Sequence, residues 1–292
     1  MRSQAMDKEQ VVAHAVQRGL KPLPQVKNIV AVASGKGGVG KSTLACNLAL
    51  ALAAEGARVG LLDADIYGPS VPLMMGVADA QPDSDGHMMQ PVLAHGMPLM
   101  SIGFLVDAGQ AAIWRGPLAS QALEQLLYQT AWPELDYLIA DLPPGTGDIQ
   151  LTFGQRVPLV GAVIVTTPQD LALADARRGV AMFEKVGVPI LGLAENMAVH
   201  VCSQCGHAEH IFGQGGGERY AAEHGIAFLG ALPLALDIRT AGDAGCPIVA
   251  AAPEGAHARL YREMAQRVAA AIAACPRDYS ARIPPVTVEH TA

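Results

Sequence analysis

Residues 29–43 read Ile29-Val30-Ala31-Val32-Ala33-Ser34-Gly35-Lys36-Gly37-Gly38-Val39-Gly40-Lys41-Ser42-Thr43, and this stretch decides the fold. Its opening is an unbroken apolar run of strand length, as in parallel strands buried on both faces. From Gly35 to Ser42 it satisfies G-x-x-x-x-G-K-[ST], and an Ala/Leu pattern of helical period follows over residues 42–55. A strand, a glycine-rich loop and a helix in this order form a phosphate-binding loop. Residues without Cβ atoms let backbone N–H groups curl around a β-phosphate, and the helix adds the positive end of its dipole. In this reading Lys41 neutralises β/γ oxygens, the Ser42 hydroxyl ligates Mg²⁺, and the N–H of Thr43 reaches the α-phosphate. Competing readings are a turn that binds nothing, or a dinucleotide fingerprint begun by Gly35-Lys36-Gly37. Neither requires the Lys-Ser pair.

Outward from this loop the chain alternates strand-like runs with helix-length patterns, which predicts right-handed βαβ units. The fold class is α/β, a P-loop NTPase with a mostly parallel sheet and helices on both faces. Strands are expected at Ile29 to Ala33, Arg58 to Asp63, Tyr137 to Asp141, Ala162 to Thr166, Ile190 to Glu195 and Ala227 to Ala231. Helices are expected near 42–55, 117–130, 171–186, 216–224 and 254–274. The apolar positions Val11, Val12, Ala15, Val16 and Leu20 predict a short amphipathic helix in a leader over residues 1–24. One ATPase domain then spans 25–275, and an extended, proline-bearing tail covers 276–292. Two irregular stretches interrupt the rhythm: residues 67–106, with a small hairpin through Val92 and Met100, and the loop 198–217, which holds both clustered cysteines. Long irregular pieces of a compact domain are more often functional than incidental.

The net charge of -7 and the scattered lysines and arginines leave no basic stripe for nucleic acid or anionic lipid. No run of 18 apolar residues and no signal-peptide pattern occurs, so a cytoplasmic location without nucleic-acid or membrane partners is expected. The five cysteines are too unevenly spaced for a disulfide framework, which fits a reducing compartment.

Further acidic segments complete a nucleotide site. Leu61-Leu62-Asp63-Ala64-Asp65 ends a strand in carboxylates at the carboxyl edge of the sheet, where phosphates bind. Asp65 is the candidate for orienting the attacking water, although either acid could instead cap a turn. Tyr137-Leu138-Ile139-Ala140-Asp141 is a Walker B strand, and Asp141 is expected to hold Mg²⁺ through water. Leu142-Pro143-Pro144-Gly145-Thr146-Gly147-Asp148 reads as a stiff hinge beside the γ-phosphate, or as a plain proline-rich turn. Asn196, at a strand end, is placed to read adenine, with Pro233 to Asp237 opposite. A turn-forming role fits it as well.

Cys202-Ser203-Gln204-Cys205 puts two thiols at metal-binding spacing within a loop. A thioredoxin-like pair does not suit this architecture. A zinc site would recruit His207 or His210 of the same chain. A third reading needs only two thiolates from each subunit, four across a two-fold axis, for one [4Fe-4S] cluster.

AVASGKGGVGKST resembles the deviant Walker A motif of the MinD/ParA/nitrogenase iron protein class. Lys36 cannot easily reach phosphates that Lys41 already holds, and the resemblance implies that it crosses a homodimer interface to the partner's ATP. It also supports Asp65 as a first switch, Asp63 near Mg²⁺ or bonded to the loop, and Asn196 on the base. Together with LLDADIYGPS, WRGP at Trp114 to Pro117, DLPPGTGD, TTPQ at Thr166 to Gln169, ENM at Glu195 to Met197 and the C-x-x-C followed by FGQGGG, the chain resembles the Mrp/ApbC group of iron-sulfur cluster carrier ATPases over about residues 25–285. The resemblance implies slow ATP hydrolysis coupled to delivery of a cluster, held by Cys202 and Cys205 of both subunits, to apoprotein acceptors. Many bacterial members carry an additional N-terminal domain, and the expectation here is a short leader in its place. A ParA/MinD-like spatial-organisation ATPase with a structural zinc is the alternative.

Overall fold

The computed structural model describes residues 11–17, 19–20, 22–105 and 116–278. The apolar run before the phosphate loop is β1 (Ile29–Ser34), and α1 (Lys41–Ala54) follows the loop. Next come β2 (Val59–Asp63), α2 (Val71–Met74), β3 (Val92–Ala94), β4 (Met97–Ser101) and α3 (Gly116–Tyr128). They are followed by β5 (Tyr137–Asp141), α4 (Asp148–Arg156), β6 (Leu159–Thr166), α5 (Asp170–Lys185) and β7 (Ile190–Glu195). A small hairpin of β8 (His200–Val201) and β9 (Ala208–Glu209) precedes α6 (Gly216–His224), β10 (Phe228–Ala231), α7 (Leu236–Asp243), α8 (Ile248–Ala251) and α9 (Ala256–Ala273).

Eight strands form one sheet in the order β10-β7-β6-β1-β5-β2-β4-β3, and every neighbouring pair is parallel except the antiparallel edge pair β3–β4. Alternation along each strand splits the core into two layers. Val30 and Val32 of β1, with Tyr137 and Ile139 of β5, pack on the face covered by α1, α8 and α9. Ile29, Ala31 and Ala33, with Leu138 and Ala140, pack on the face covered by α3, α4, α5 and α6. Both faces are thus closed by helices, which explains strands that are apolar at nearly every position before their carboxyl ends.

Apart from the leader helix, the expected elements form with shifts of a few residues at most, and three differences have physical causes. The hairpin through Val92 and Met100 is present, but β4 also pairs with β2 and so extends the main sheet. The stretch expected as a hinge runs on into α4, where Asp148 supplies a first-turn carboxylate and Arg156 a last-turn cation, both matched to the helix dipole. The leader helix does not form over residues 11–17. There the backbone is satisfied from elsewhere: Lys27 Nζ donates to Val11 O at 2.7 Å and Asn28 Nδ2 to Val12 O at 2.9 Å. Ala15 N donates to Pro276 O at 2.7 Å and Asp278 N to Ala13 O at 3.0 Å, forming an antiparallel bridge between His14 and Arg277. Long-range partners have replaced the i to i−4 bonds that a helix would use. The first ten residues, Trp114 and Arg115 of the WRGP stretch, and the tail beyond residue 278 lie outside the described residues.

Candidate functional site

The parallel order places the carboxyl ends of β1, β2, β5, β6 and β7 along one edge, and nearly all the residues singled out from the sequence sit there. Gly40 adopts a left-handed backbone (φ 82) as it caps α1, and a Cβ on it would collide with the Asn196 amide. At Gly35 a Cβ would run into the Asp175 carbonyl of α5. Glycine is therefore required at both ends of the loop for different reasons, one conformational and one steric. Gly37 and Gly38 are exposed, Val39 is buried, and Ser34 Oγ donates to Lys36 O at 2.8 Å to brace the start of the loop.

Below the loop lies a buried charge cluster. Lys41 Nζ is 2.6 Å from Asp141 Oδ1 and 3.5 Å from Asp65 Oδ2. It also donates to Ser42 Oγ at 3.2 Å, and that hydroxyl donates to Asp141 Oδ2 at 2.5 Å. Asp63 accepts from Asp65 N at 3.1 Å, Val71 N at 3.3 Å and Ser101 Oγ at 2.9 Å. Its carboxylate thus organises the segment after β2, and none of these three partners lies in the phosphate loop. Ser101 is a member of this network that sequence reading missed, because a lone serine ending a short edge hairpin carries no pattern.

Three carboxyl groups face one lysine here, and the electrostatics reflect that imbalance. Burial, then the charge of Asp141, pushes the Asp63 carboxyl up to about 7. Burial likewise raises Asp141, against the pull of Lys41 and Ser42. Asp65 Oδ1 is buried with no protein partner. Hard oxygen donors, surplus negative charge and an orphaned carboxylate oxygen fit a divalent cation such as Mg²⁺. Lys36 is half-buried, and among the described residues no carboxylate lies within ion-pairing distance of its ammonium.

The hinge segment is tied to the same edge: Gly145 N donates to Ser34 O at 2.9 Å, and Gln150 Nε2 donates to Pro143 O. Asn196 is buried, and its Nδ2 donates to Val39 O at 2.8 Å, directly behind the phosphate loop.

The cysteine loop leaves the same edge after β7. Cys202 and Cys205 lie on the turn between β8 and β9, closed by Cys202 N to His207 O and Gly206 N to Cys202 O, both 2.9 Å. Cys202 is half-buried and Cys205 exposed. Backbone N–H groups of Cys205 and Gln204, then the Cys205 side chain, hold the Cys202 thiol below the ordinary thiol range. That favours the thiolate, the form that binds metals. Among the described residues no third His, Cys, Asp or Glu joins the pair in a metal-holding group. One cleft runs from His200–Ser203 to Pro233 and Ala235–Asp237, so the cysteine turn borders the segment expected beside the base. Among the described residues no helix is long and apolar enough to cross a membrane.

Comparison with known proteins gives the family. The family model that matches residues 25–269 is ParA, described as NUBPL iron-transfer P-loop NTPase. An iron-sulfur cluster carrier protein of Pseudomonas fragi is 58% identical over 257 residues, covering 87% of this chain and 90% of that protein. The iron-sulfur cluster transfer protein NUBPL of Mus musculus is 48% identical over 266 residues, covering 89% and 83%. Among solved structures, the nucleotide-binding protein of Archaeoglobus fulgidus in complex with ADP matches with a TM-score of 0.67 at 39% identity, covering 76% of this chain and 87% of that one. A family model across more than three quarters of the chain, and relatives matched over most of their own length, leave one conclusion: the chain belongs to the ParA group of NUBPL-type iron-transfer P-loop NTPases, the family that the Mrp/ApbC resemblance implied.

Proposed function

We propose that this protein is an iron-sulfur cluster carrier of the cytoplasm, which binds and slowly hydrolyses ATP and passes a [4Fe-4S] cluster to apoprotein acceptors. The observation that carries the reading is the cysteine turn: two thiols of one chain, one of them biased toward the thiolate, with no third ligand among the described residues, at the sheet edge that also bears the phosphate loop. Two copies of the chain supply four sulfurs, which is what such a cluster takes. The zinc alternative, with His207 or His210 completing an intrachain site, lacks support from the same observation.

In the nucleotide site, Gly35, Gly37, Gly38, Val39, Gly40 and Thr43 turn backbone N–H groups toward the phosphates. Lys41 exchanges its carboxylate partners for β/γ oxygens. Ser42 and Asp141 would hold Mg²⁺, which would supply charge neutralisation at the phosphates. Lys36 reaches the nucleotide of the partner subunit in a homodimer. Asp65 orients the attacking water with the oxygen that has no protein partner. Asn196 reads the base, giving up the Val39 carbonyl. The segments 1–24 and 276–292 flank this unit, whose domain we place at 25–275.

The test is anaerobic reconstitution with iron and sulfide, with subunit mass measured alongside. About four irons per dimer and broad absorbance near 400 nm are expected. Cys202→Ser with Cys205→Ser abolishes both while ATP binding persists. A monomer that holds one zinc, or a double variant with unchanged iron, sinks the proposal.

A further inference from the structure

The loop that carries Cys202 and Cys205 leaves β7 through Glu195, Asn196 and Met197, and the first of these also fastens its far end. Glu195, which ends β7, accepts a 2.5 Å hydrogen bond on Oε2 from Gly217 N, at the start of α6 where the loop closes. Asn196 donates to Val39 O of the phosphate loop at 2.8 Å, and its own N–H is held by Thr166 O at 2.8 Å. Met197 has φ 56, a left-handed conformation that costs a side-chain-bearing residue about 1 kcal/mol or more. The next residue, Ala198, bonds through N to Leu232 O at 2.9 Å and through O to His210 Nδ1 at 2.7 Å, a second fastening from inside the loop. Glu195 is only 2% exposed. A buried carboxylate is costly unless compensated, and this one is held at a helix N-terminus by an N–H that water or a neutral acceptor could satisfy. Its position, one residue from the phosphate-loop contact and directly on the cysteine-loop closure, gives it a use.

We propose that Glu195 is a positioning residue that transmits the state of the phosphate loop to the cysteine pair. The inference rests on the reading of Asn196 and of the cysteines given above. When Asn196 trades the Val39 carbonyl for a nucleotide base, the strained turn at Met197 shifts. The Glu195–Gly217 clamp makes the far end of the loop follow, so the turn bearing Cys202 and Cys205 moves as a unit. Without the clamp, the same shift dissipates in the glycines at 215–217. The two sites are then coupled by a bistable element whose balance both ends bias.

The test is site-resolved alkylation of Cys202 and Cys205 by iodoacetamide, read by mass spectrometry on the full chain without cluster. Rates are compared with and without Mg²⁺ and a non-hydrolysable ATP analogue. In the wild type the nucleotide changes the rate by about fivefold or more; in Glu195→Ala the change falls below about twofold, with nucleotide affinity within about threefold of wild type. Glu195→Gln keeps an acceptor for Gly217 N and retains the wild-type response. A merely structural loosening would alter the rate equally with and without nucleotide, leaving the ratio intact. A wild-type ratio in Glu195→Ala, or a lost ratio in Glu195→Gln, overturns the positioning role and leaves the functional proposal standing. A wild type that binds the analogue yet shows no change in rate likewise overturns the positioning role, whereas the iron content of the reconstituted protein decides the functional proposal.

Discussion

Asp136, which precedes β5, offers a quantitative test of how the amino edge of the sheet is held. Its carboxylate accepts from Lys27 Nζ at 2.8 Å and from Arg58 N, Nε and Nη2 at 2.9, 3.2 and 3.1 Å. Burial opposes the charge, but Arg58 and Lys27 outweigh it and hold the carboxyl at about 2, below the ordinary 3.8. That gap corresponds to about 2.5 kcal/mol of stabilisation. The Arg58 side chain is 51% exposed, so solvent screening discounts the value to about 1–2 kcal/mol. Asp136→Asn keeps the shape but turns an NH₂ group toward donors. Its melting temperature at pH 7 falls by about 2–3 °C in thermal unfolding of this 292-residue chain. The sign fixes the pH dependence: a depressed carboxyl stabilises fully above its unfolded value of 3.8 and loses that contribution as pH falls through about 2. The gap between the two proteins is therefore level from pH 7 to pH 5 and narrows below pH 4. An Asn variant as stable as wild type at pH 7, or a gap that widens on acidification, refutes the reasoning.

Gly35→Ala drives a methyl group into the Asp175 backbone carbonyl, so about 1–3 kcal/mol of stability is lost; calorimetric titration should show at least tenfold weaker ATP binding. Lys41→Ala strands Asp141 and Asp65 without a counter-ion, abolishing ATP turnover while iron content after reconstitution is unchanged; loss of both together means the two sites are not separable. The Asp63 carboxyl, raised to about 7, takes up its proton more readily folded than unfolded. The stability it confers is present in full below 3.8 and lost as pH rises through about 7, so the ligand-free chain unfolds in less urea at pH 8 than at pH 6, and saturating Mg²⁺ flattens the slope.

How much of this was legible depends on how local the cause is. The phosphate loop, α1, β5 and β7 carry their reasons within a dozen residues, as strand run, glycine spacing or terminal carboxylate, and they form where expected. Val11, Val12, Ala15 and Val16 follow a helical period, yet Lys27, Asn28 and residues 276–278 capture that backbone, and no local pattern records partners so distant in sequence. The helices Asp148–Arg156 and Leu236–Asp243 escaped because they mix polar residues into short spans soon after prolines, where a turn reads equally well. At the candidate site, Lys41, Asp65 and Asp141 were found individually, but their sharing of one ammonium exists only once β1, β2 and β5 are side by side. Glu195 stood within a recognisable triplet without a role, since its partner Gly217 lies across the whole cysteine loop.

The bridge between His14 and Arg277 brings residues far apart in sequence together beside the start of β1. Strands of five or six residues put that junction roughly 17–20 Å from the carboxyl edge. A circular permutant that splices residue 278 to residue 11 through a short glycine-serine connector should therefore keep the carboxyl edge of the sheet intact. A fluorophore or affinity handle attached at the splice would report on the molecule without shadowing either the phosphate loop or the sulfur-bearing turn.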